Sequence, residues 1–421
     1  MSDIPFPRGV RDLMPNEALF RNELMRKIES VYQRFGFLAI DTPAFESMSV
    51  LTAKNAIGEE NKLIYELKNE NLGLRYDQTV SLARYYAMHT DVPLPFKRYA
   101  IGKVWRMDEP QRNRYREITQ ADIDILGGKP VLTDAEVIAA SARALEAAGV
   151  DYELHVNDRE AMDFVLAKLG IANELYNPVY HAIDKLDKLS LQDVEKMLTD
   201  LKLTDKQIDG IAGMLDLDAT NDKKIDYLKD AGDKPAQNME SLLALLDQYV
   251  LHGHVIVDLS VVRGLDYYTS TVFEFHSLRE DMPGVIGGGG RYDNLVKLYS
   301  GKDIPAVGAA MGLDRIMNVL DSQDSPKYTY AEVIVNYIRD ENYKYALKVA
   351  SALRDAGINT DINLAQRNIA NQLAFANSAR MPAAIIVGDE EERTSKVKLR
   401  DLVTGEEETL SLNDAIRTLS R

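Results

Sequence analysis

The amino-acid sequence predicts a mixed α/β (α+β) chain in three parts: a discontinuous antiparallel-sheet domain, a helical module inserted into it, and a C-terminal α/β domain. Three observations predict it. Two strand-like stretches, residues 97–107 and 117–126, are joined by the polar loop "DEPQRNRYR", as in a long antiparallel hairpin. From about 159 to 235, short helical patterns rich in Leu, Lys and Asp follow one another without a clear strand. From 331 to 387, strand and helix alternate, the pattern of parallel strands joined by helices. The expected boundaries are 1–158 with 236–322, then 159–235, then 329–421 behind the linker-like "DSQDSPKYT". A length of 421 residues fits two to three domains at roughly 150 residues each.

The elements follow in order. Phe20, Leu24, Ile28, Val31 and Phe35 share one helical face, with Asn16 as the expected N-cap and Gly36 as the stop. "FLAID" then reads as a strand ended by Thr42-Pro43, followed by a polar stretch (59–70), a short strand into "LRYDQT" and a helix over 80–88. After the hairpin come a helix (135–148) and a strand (152–156). Strand signals resume at Val255 and run through "GGGGRYDNLV" to a helix over 312–320. The last domain reads as strand 331–338, helix 341–356, strand 359–362, helix 365–380 and strand 383–387, then two antiparallel strands and a short helix.

Composition excludes several classes. No stretch approaches about 18 uninterrupted apolar residues, so no membrane span is expected. "MSDIPFPRGVRDLMP" lacks the apolar core of a secretory signal. Cysteine is absent, which removes disulfides, thiol catalysis and cysteine-ligated zinc, and fits a cytoplasmic location. A net charge of −16 argues against a general nucleic-acid binder. Any RNA contact must be local, and Lys97–Arg116 is a candidate, with seven basic residues against two acidic.

"VVRGLDYY" (261–268) lies between "VIVDLS" and "TVFEF". An arginine, an aspartate and two tyrosines at a strand-end turn suit a pocket for a small charged ligand. Guanidinium is a planar fork for carboxylate or phosphate and stays charged when buried. Arg263 therefore suits two anionic groups that react together, or an ion pair with Asp266 or another acid. Arg106 ends one hairpin strand, and on the other Gln120 and Asp124, four apart, share a face. Asp77 and Thr79 form a second pair in an extended segment. Acid, hydroxyl and amide converging on one point suit an ammonium group; hydrogen-bonded core polars are the alternative. Glycines 287–290 lack the Gly-Lys-Ser/Thr ending of a phosphate loop and read instead as a pocket floor that a ligand approaches closely. "GAAMGLDR" (308–315) runs from strand into helix with Arg315 one turn in, which suits polyphosphate or an exposed amphipathic face. His252 and His254 have no nearby partner for a metal site, and none is expected.

Together these pieces resemble the histidyl-tRNA synthetases, a family of class II (class IIa) aminoacyl-tRNA synthetases, over nearly the whole chain. "PRGVRDLMP" is similar to the family's opening, and the helix and strand ending at Pro43 to class II motif 1. "FKRYAIGKVWRMDEPQRNRYREITQADID" resembles motif 2, and "PAVGAAMGLDRI" motif 3. "VVRGLDYYTSTVFEF" and "GGGGRYDNLV" resemble the two histidine-specific signatures. The resemblance implies an antiparallel-sheet catalytic domain and a C-terminal anticodon-binding domain. It implies activation of L-histidine with ATP, accompanied by Mg2+, to histidyl-adenylate, and transfer to the 3′ end of tRNA(His) by a homodimer. It assigns Asp77, Thr79 and Gln120 to the α-ammonium, Asp124 and Tyr268 to the imidazole nitrogens, and Tyr267 to the same pocket. Arg106 and Arg263 would meet the α-phosphate, Arg263 also the substrate carboxylate, while Arg114, Tyr115 and Arg315 would serve ATP. Arg263, Arg106 and Gln120 are the expected catalytic residues. Three positions depart from the family's pattern: Asp108 replaces the usual Glu, Ile118 the usual adenine-stacking ring, and Glu109 a basic loop residue frequent in bacterial members. The rival readings are a histidine-sensing regulator of ATP phosphoribosyltransferase, another class IIa synthetase, and a pure RNA-binding protein. The first typically lacks the second α/β domain and several of these arginines, the second lacks "RGLDYY", and the acidic balance disfavours the third.

Overall fold

The computed structural model describes residues 4–52, 58–110, 114–187, 189–215, 217, 219–231, 233–263, 267–320, 329–365 and 368–420. The chain divides into two compact units: Met1–Arg11 with Glu23–Leu320, and Asp12–Asn22 with Asp321–Arg421. The first helix begins at Pro15 rather than after Asn16. Proline tolerates the first helical position because its missing N–H has no partner there anyway. The Glu17 carboxylate accepts from the Met14 amide at 2.8 Å, so the helix start is closed from within.

The strands of the larger unit are β1 (Leu38–Ala39), β2 (Phe45–Ser47), β3 (Leu72–Leu74), β4 (Phe96–Trp105) and β5 (Glu117–Leu126). They continue with β6 (Tyr152–Asp158), β7 (His254–Val257), β8 (Thr271–Ser277), β9 (Gly284–Arg291) and β10 (Ala306–Gly312). Eight of them form one sheet in the order β1-β4-β5-β10-β9-β8-β6-β7, while β2 and β3 pair separately. All neighbours in the large sheet run antiparallel except the outermost pairs, β1/β4 and β6/β7. The pleat of β5 sends Ala121, Ile123 and Ile125 to one face and Gln120, Asp122 and Asp124 to the other. Helix Leu132–Ala148 packs across β5, β8 and β10 on the first of these faces. The other face carries the site. β7 is shorter than the expected 255–260 because Asp258 Oδ1 accepts from the Ser260 amide at 2.9 Å, a side-chain turn that ends the strand.

Six helices, from Arg159–Lys168 to Asp233–Gln248, occupy the interval between β6 and β7, with no strand among the described residues. The helical run thus reaches thirteen residues past the expected boundary at 235. The smaller unit contains β11 (Val333–Tyr337), β12 (Thr360–Ile362), β13 (Ala383–Val387), β14 (Lys396–Asp401) and β15 (Glu407–Ser411). Their order is β12-β11-β13-β14-β15, the first three parallel and the rest antiparallel. β11 and β13 are buried along their whole length, as parallel strands covered on both faces must be.

Candidate active site

The register sets residues from six strands side by side on the open face. One row reads Ala100, Asp122, Ala310, Gly288, Glu274, His155. The next reads Arg98, Asp124, Gly308, Gly290, Val272, Asn157. Each row carries polar side chains on either side of a nearly bare middle. A cleft of about 840 Å³ lies over this bare centre, within the usual size of a small-molecule site. The glycines make room for side chains from elsewhere. A Cβ on Gly288 would lie 3.0 Å from Arg263 Nη1 and 2.6 Å from the Phe273 carbonyl. A Cβ on Gly290 would lie 2.8 Å from the Tyr268 ring. Arg291, next along, points to the opposite face, where it pairs with buried Asp134 and donates to Thr133 at 2.9 Å. It is a structural arginine.

One wall holds acceptors without donors. Asp77 precedes helix Thr79–Met88, and its Oδ1 accepts from the Val80 amide at 3.1 Å. Its Oδ2 is buried with no hydrogen-bond partner among the described residues, and so are Gln120 Oε1 and Asp122 Oδ1. Asp77, Thr79, Gln120 and Asp122 all line the cleft. Burial pushes the Asp77 carboxyl up to about 6 against the pull of Val80 and Arg106. Burial pushes Asp122 further, to about 8, with Arg98 opposing and the neighbouring carboxylates of Asp124 and Asp77 adding to the rise. Buried acceptors in this state favour a ligand that brings donors and positive charge.

Tyr267, Tyr268 and Tyr292 line the cleft together, with ring centroids 4.9 Å apart for the first pair and 6.0 Å for Tyr267 and Tyr292. Asp124, expected beside them, is not among the residues that line it. Its carboxylate is 1% exposed, paired with Arg98 at 2.5 Å, and accepts from the Tyr292 hydroxyl. Tyr292, the donor to this carboxylate, is the one of the two that lines the cleft.

The positive groups sit around the same space. Arg263 lines the cleft and donates to Glu274 Oε1 at 2.7 Å, so the acid that pairs with it is on β8; Asp266 lies outside the described residues. Arg263 holds a left-handed backbone, φ 57°, which an arginine rarely adopts. Arg106 donates from Nε to the Tyr76 carbonyl at 3.0 Å, and it lines the cleft with Arg114, Tyr115, Ile118 and Arg315. Arg114 pairs with Asp108 at 2.9 Å. Arg11, from the "PRGVRD" segment, lies 4.5 Å over the Tyr115 ring and donates to Asp314 at 3.0 Å. Much of the basic stretch proposed for RNA is occupied internally: Lys97 pairs with Glu136, Lys103 with Glu117, and Arg98 is buried, while Arg112 lies outside the described residues. Ten predicted site residues therefore share one cleft, and Asp124 stands behind it. Asp122, Glu274 and Tyr292 were not anticipated. Asp122 was legible, since it falls between Gln120 and Asp124 on the same face of β5.

A family profile described as Histidyl-tRNA synthetase matches residues 9–316, and one described as Anticodon binding domain matches 332–421. The Histidine--tRNA ligase of Korarchaeum cryptofilum is 37% identical over 99% of this chain and 98% of its own length. That of Phocaeicola vulgatus is 32% identical over 97% of each. Among solved structures, histidyl-tRNA synthetase from Nostoc sp. PCC 7120 matches with a TM-score of 0.86 and 28% identity over all of both chains. A Bacillus halodurans protein described as ATP phosphoribosyltransferase regulatory subunit/histidyl-tRNA synthetase matches with a TM-score of 0.75 at 20% identity, covering 92% of this chain and 99% of its own, a likeness of fold. No helix of the described residues is long and apolar enough to cross a membrane. The chain belongs to the histidyl-tRNA synthetase family and has its activity, the ATP-dependent joining of histidine to tRNA.

Proposed function

We propose that the cleft over Gly288 and Gly308 is where histidine and ATP react. In the family's reaction a carboxylate oxygen of histidine attacks the α-phosphorus of ATP, and the bond to pyrophosphate breaks. A hydroxyl of the terminal ribose of tRNA(His) then attacks the histidyl carbonyl, and AMP leaves. The observation that carries the reading is the set of three buried acceptors without donors, Asp77 Oδ2, Gln120 Oε1 and Asp122 Oδ1, in a cleft that also holds Arg106 and Arg263. The α-ammonium of histidine supplies the missing donors, with Thr79 beside them. The imidazole lies among Tyr267, Tyr268 and Tyr292. The Tyr292 hydroxyl donates its hydrogen bond to Asp124, which leaves a lone pair on its oxygen to accept the imidazole N–H. A site with oriented polar groups rejects side chains that leave those groups unpaired, by roughly 10⁴–10⁵.

Arg263 and Arg106 face the α-phosphate, where negative charge builds in the transition state. Neither transfers a proton; they neutralise and align the two anions. Arg114, Tyr115 and Arg315 hold the rest of the nucleotide, and Ile118 offers adenine an apolar contact in place of a ring. Among the described residues no three carboxylates or imidazoles converge as a metal cage. Mg2+ carried on the nucleotide phosphates needs only one or two carboxylates, and Asp108, which lines the cleft beside Arg114, could supply one. When bound, it neutralises the outer phosphates. The 332–421 domain serves the anticodon of tRNA(His). Exposed Leu38 in the motif 1 stretch, with exposed Phe45 and Met88 beyond it, supports a homodimer, and a chain without cysteine supports a cytoplasmic location.

The experiment is ATP–pyrophosphate exchange run with each of the twenty amino acids. Exchange with histidine alone is expected; no exchange with histidine would overturn the reading.

A further inference from the structure

Behind Arg263 lies a polar group that the reaction as described does not use. Glu274 is held at both oxygens: Oε1 accepts from Arg263 at 2.7 Å, and Oε2 accepts from His276 Nε2 at 3.1 Å. The His276 ring is stacked on His155, with centroids 4.1 Å apart and planes 23° from parallel. His155 donates from Nδ1 to Asp258 Oδ2 at 2.6 Å. Asp258 Oδ1 in turn accepts from the Ser260 amide and hydroxyl, three residues before Arg263. The contacts close a ring: Arg263, Glu274, His276, His155, Asp258, Ser260 and, along the chain, Arg263 again.

The register explains why they meet. His155 pairs with Glu274 and Glu153 with His276 across β6 and β8, so the four side chains occupy one patch of one face. The diagonal imidazoles stack and the acids take the remaining corners. The charged groups facing His276 are Glu274 on its own strand, Glu153 on β6 and, through the stack, His155 with Asp258; its partner on β9 is apolar Val285.

We propose that His276, stacked on His155, is a positioning residue that fixes Glu274 and through it the guanidinium of Arg263. A carboxylate anchored at one oxygen swings; one anchored at both holds its partner in one place. Arg263 needs this because its backbone is in a strained conformation that persists only where the surroundings over-determine it. Misplacing a charge-stabilising group by an ångström lowers turnover by up to about 10²-fold. Losing one of several restraints lowers it by roughly 10-fold on the same scale.

The inference rests on the role given to Arg263, so the test separates the two. Histidine-dependent exchange is measured for Arg263→Ala, His276→Ala, His276→Gln, Glu274→Gln and Glu274→Gln with His276→Ala, each checked for an unchanged melting temperature. Arg263→Ala is expected to lower kcat by about 10²-fold or more. If it does not, the role of Arg263 fails first. Given that loss, His276→Ala is expected to lower kcat roughly 10-fold with KM for histidine within about threefold. His276→Gln, which keeps an N–H donor towards Glu274, is expected to recover most of the loss. The double variant is expected to be no worse than Glu274→Gln alone, since both act through one contact. The proposal is overturned if His276→Ala keeps full kcat, if the glutamine is no better than the alanine, if the losses multiply in the double variant, or if the loss tracks a lowered melting temperature.

Discussion

Replacing Asp77 by asparagine separates what this carboxylate does for folding from what it does for binding. Its folded value of about 6 lies above the ordinary 3.8, because the charged form is buried with one oxygen unpartnered. The folded state therefore holds the proton more tightly than the unfolded chain. Stability from this group is complete below about pH 4, falls as the pH rises, and is lost above about 6. The gap from 3.8 to about 6 corresponds to about 3 kcal/mol at pH 8. Asparagine stays neutral and keeps an acceptor for the Val80 amide. Asp77→Asn is thus expected to be more stable than the parent at pH 8 by up to about 3 kcal/mol, about 5 °C in melting temperature for a unit this size. The advantage shrinks to about half at pH 5. Histidine is expected to reverse the order: on the proposed reading its ammonium offsets the buried charge, so it should raise the melting temperature of the parent and not of the variant. The assay is thermal unfolding of both proteins from pH 5 to 8, with and without histidine. Equal melting temperatures at pH 8 without ligand, or an equal advantage at every pH, would refute the reasoning.

Gly288→Ala places a methyl 3.0 Å from Arg263 Nη1 and 2.6 Å from a carbonyl. It is expected to cost about 1–3 kcal/mol of stability and about 10²-fold in exchange kcat, read by unfolding and exchange together; parent-like turnover would contradict the close packing. Tyr292→Phe removes a donor from buried Asp124 and an acceptor from the cleft. A loss of about 1–3 kcal/mol is expected, with a weaker KM for histidine and an unchanged KM for ATP; equal weakening for both substrates would point to general damage. Deleting residues 329–421 is expected to spare exchange and abolish efficient charging of tRNA(His), and equal charging by the shortened chain would remove the smaller unit from tRNA recognition. Light scattering of the full chain at micromolar concentration is expected to give twice the chain mass, and a monomer would exclude the homodimer.

The strand and helix pattern was legible where local periodicity governs. β5 falls at residues 117–126 and β13 at 383–387, as expected from sequence, because alternating or continuous apolar runs bounded by turns need no distant partner to be recognised. β7 was read too long because Asp258 turns the chain with its own side chain, a local bond that apolar periodicity does not register. Ten of the residues that chemistry and family resemblance pick out line one cleft. The pairing of Asp124 was not legible, because its position on the open face is a matter of parity, whereas its capture by Arg98 depends on β4 lying alongside. Glu274 and His276 looked like ordinary strand polars for the same reason: the imidazole that meets His276 is on β6, more than a hundred residues away in sequence.

The bare centre of the cleft has a bearing on redesign. Its floor is main chain at Gly288 and Gly308, so no substitution there can enlarge the chamber; every change subtracts space. A variant meant to accept a bulkier ring, such as a methylated imidazole, has to gain its volume from Tyr267, Tyr268 or Tyr292. If, as proposed, these tyrosines also distinguish one aromatic nitrogen base from another, breadth of substrate and fidelity trade against each other at the same three side chains.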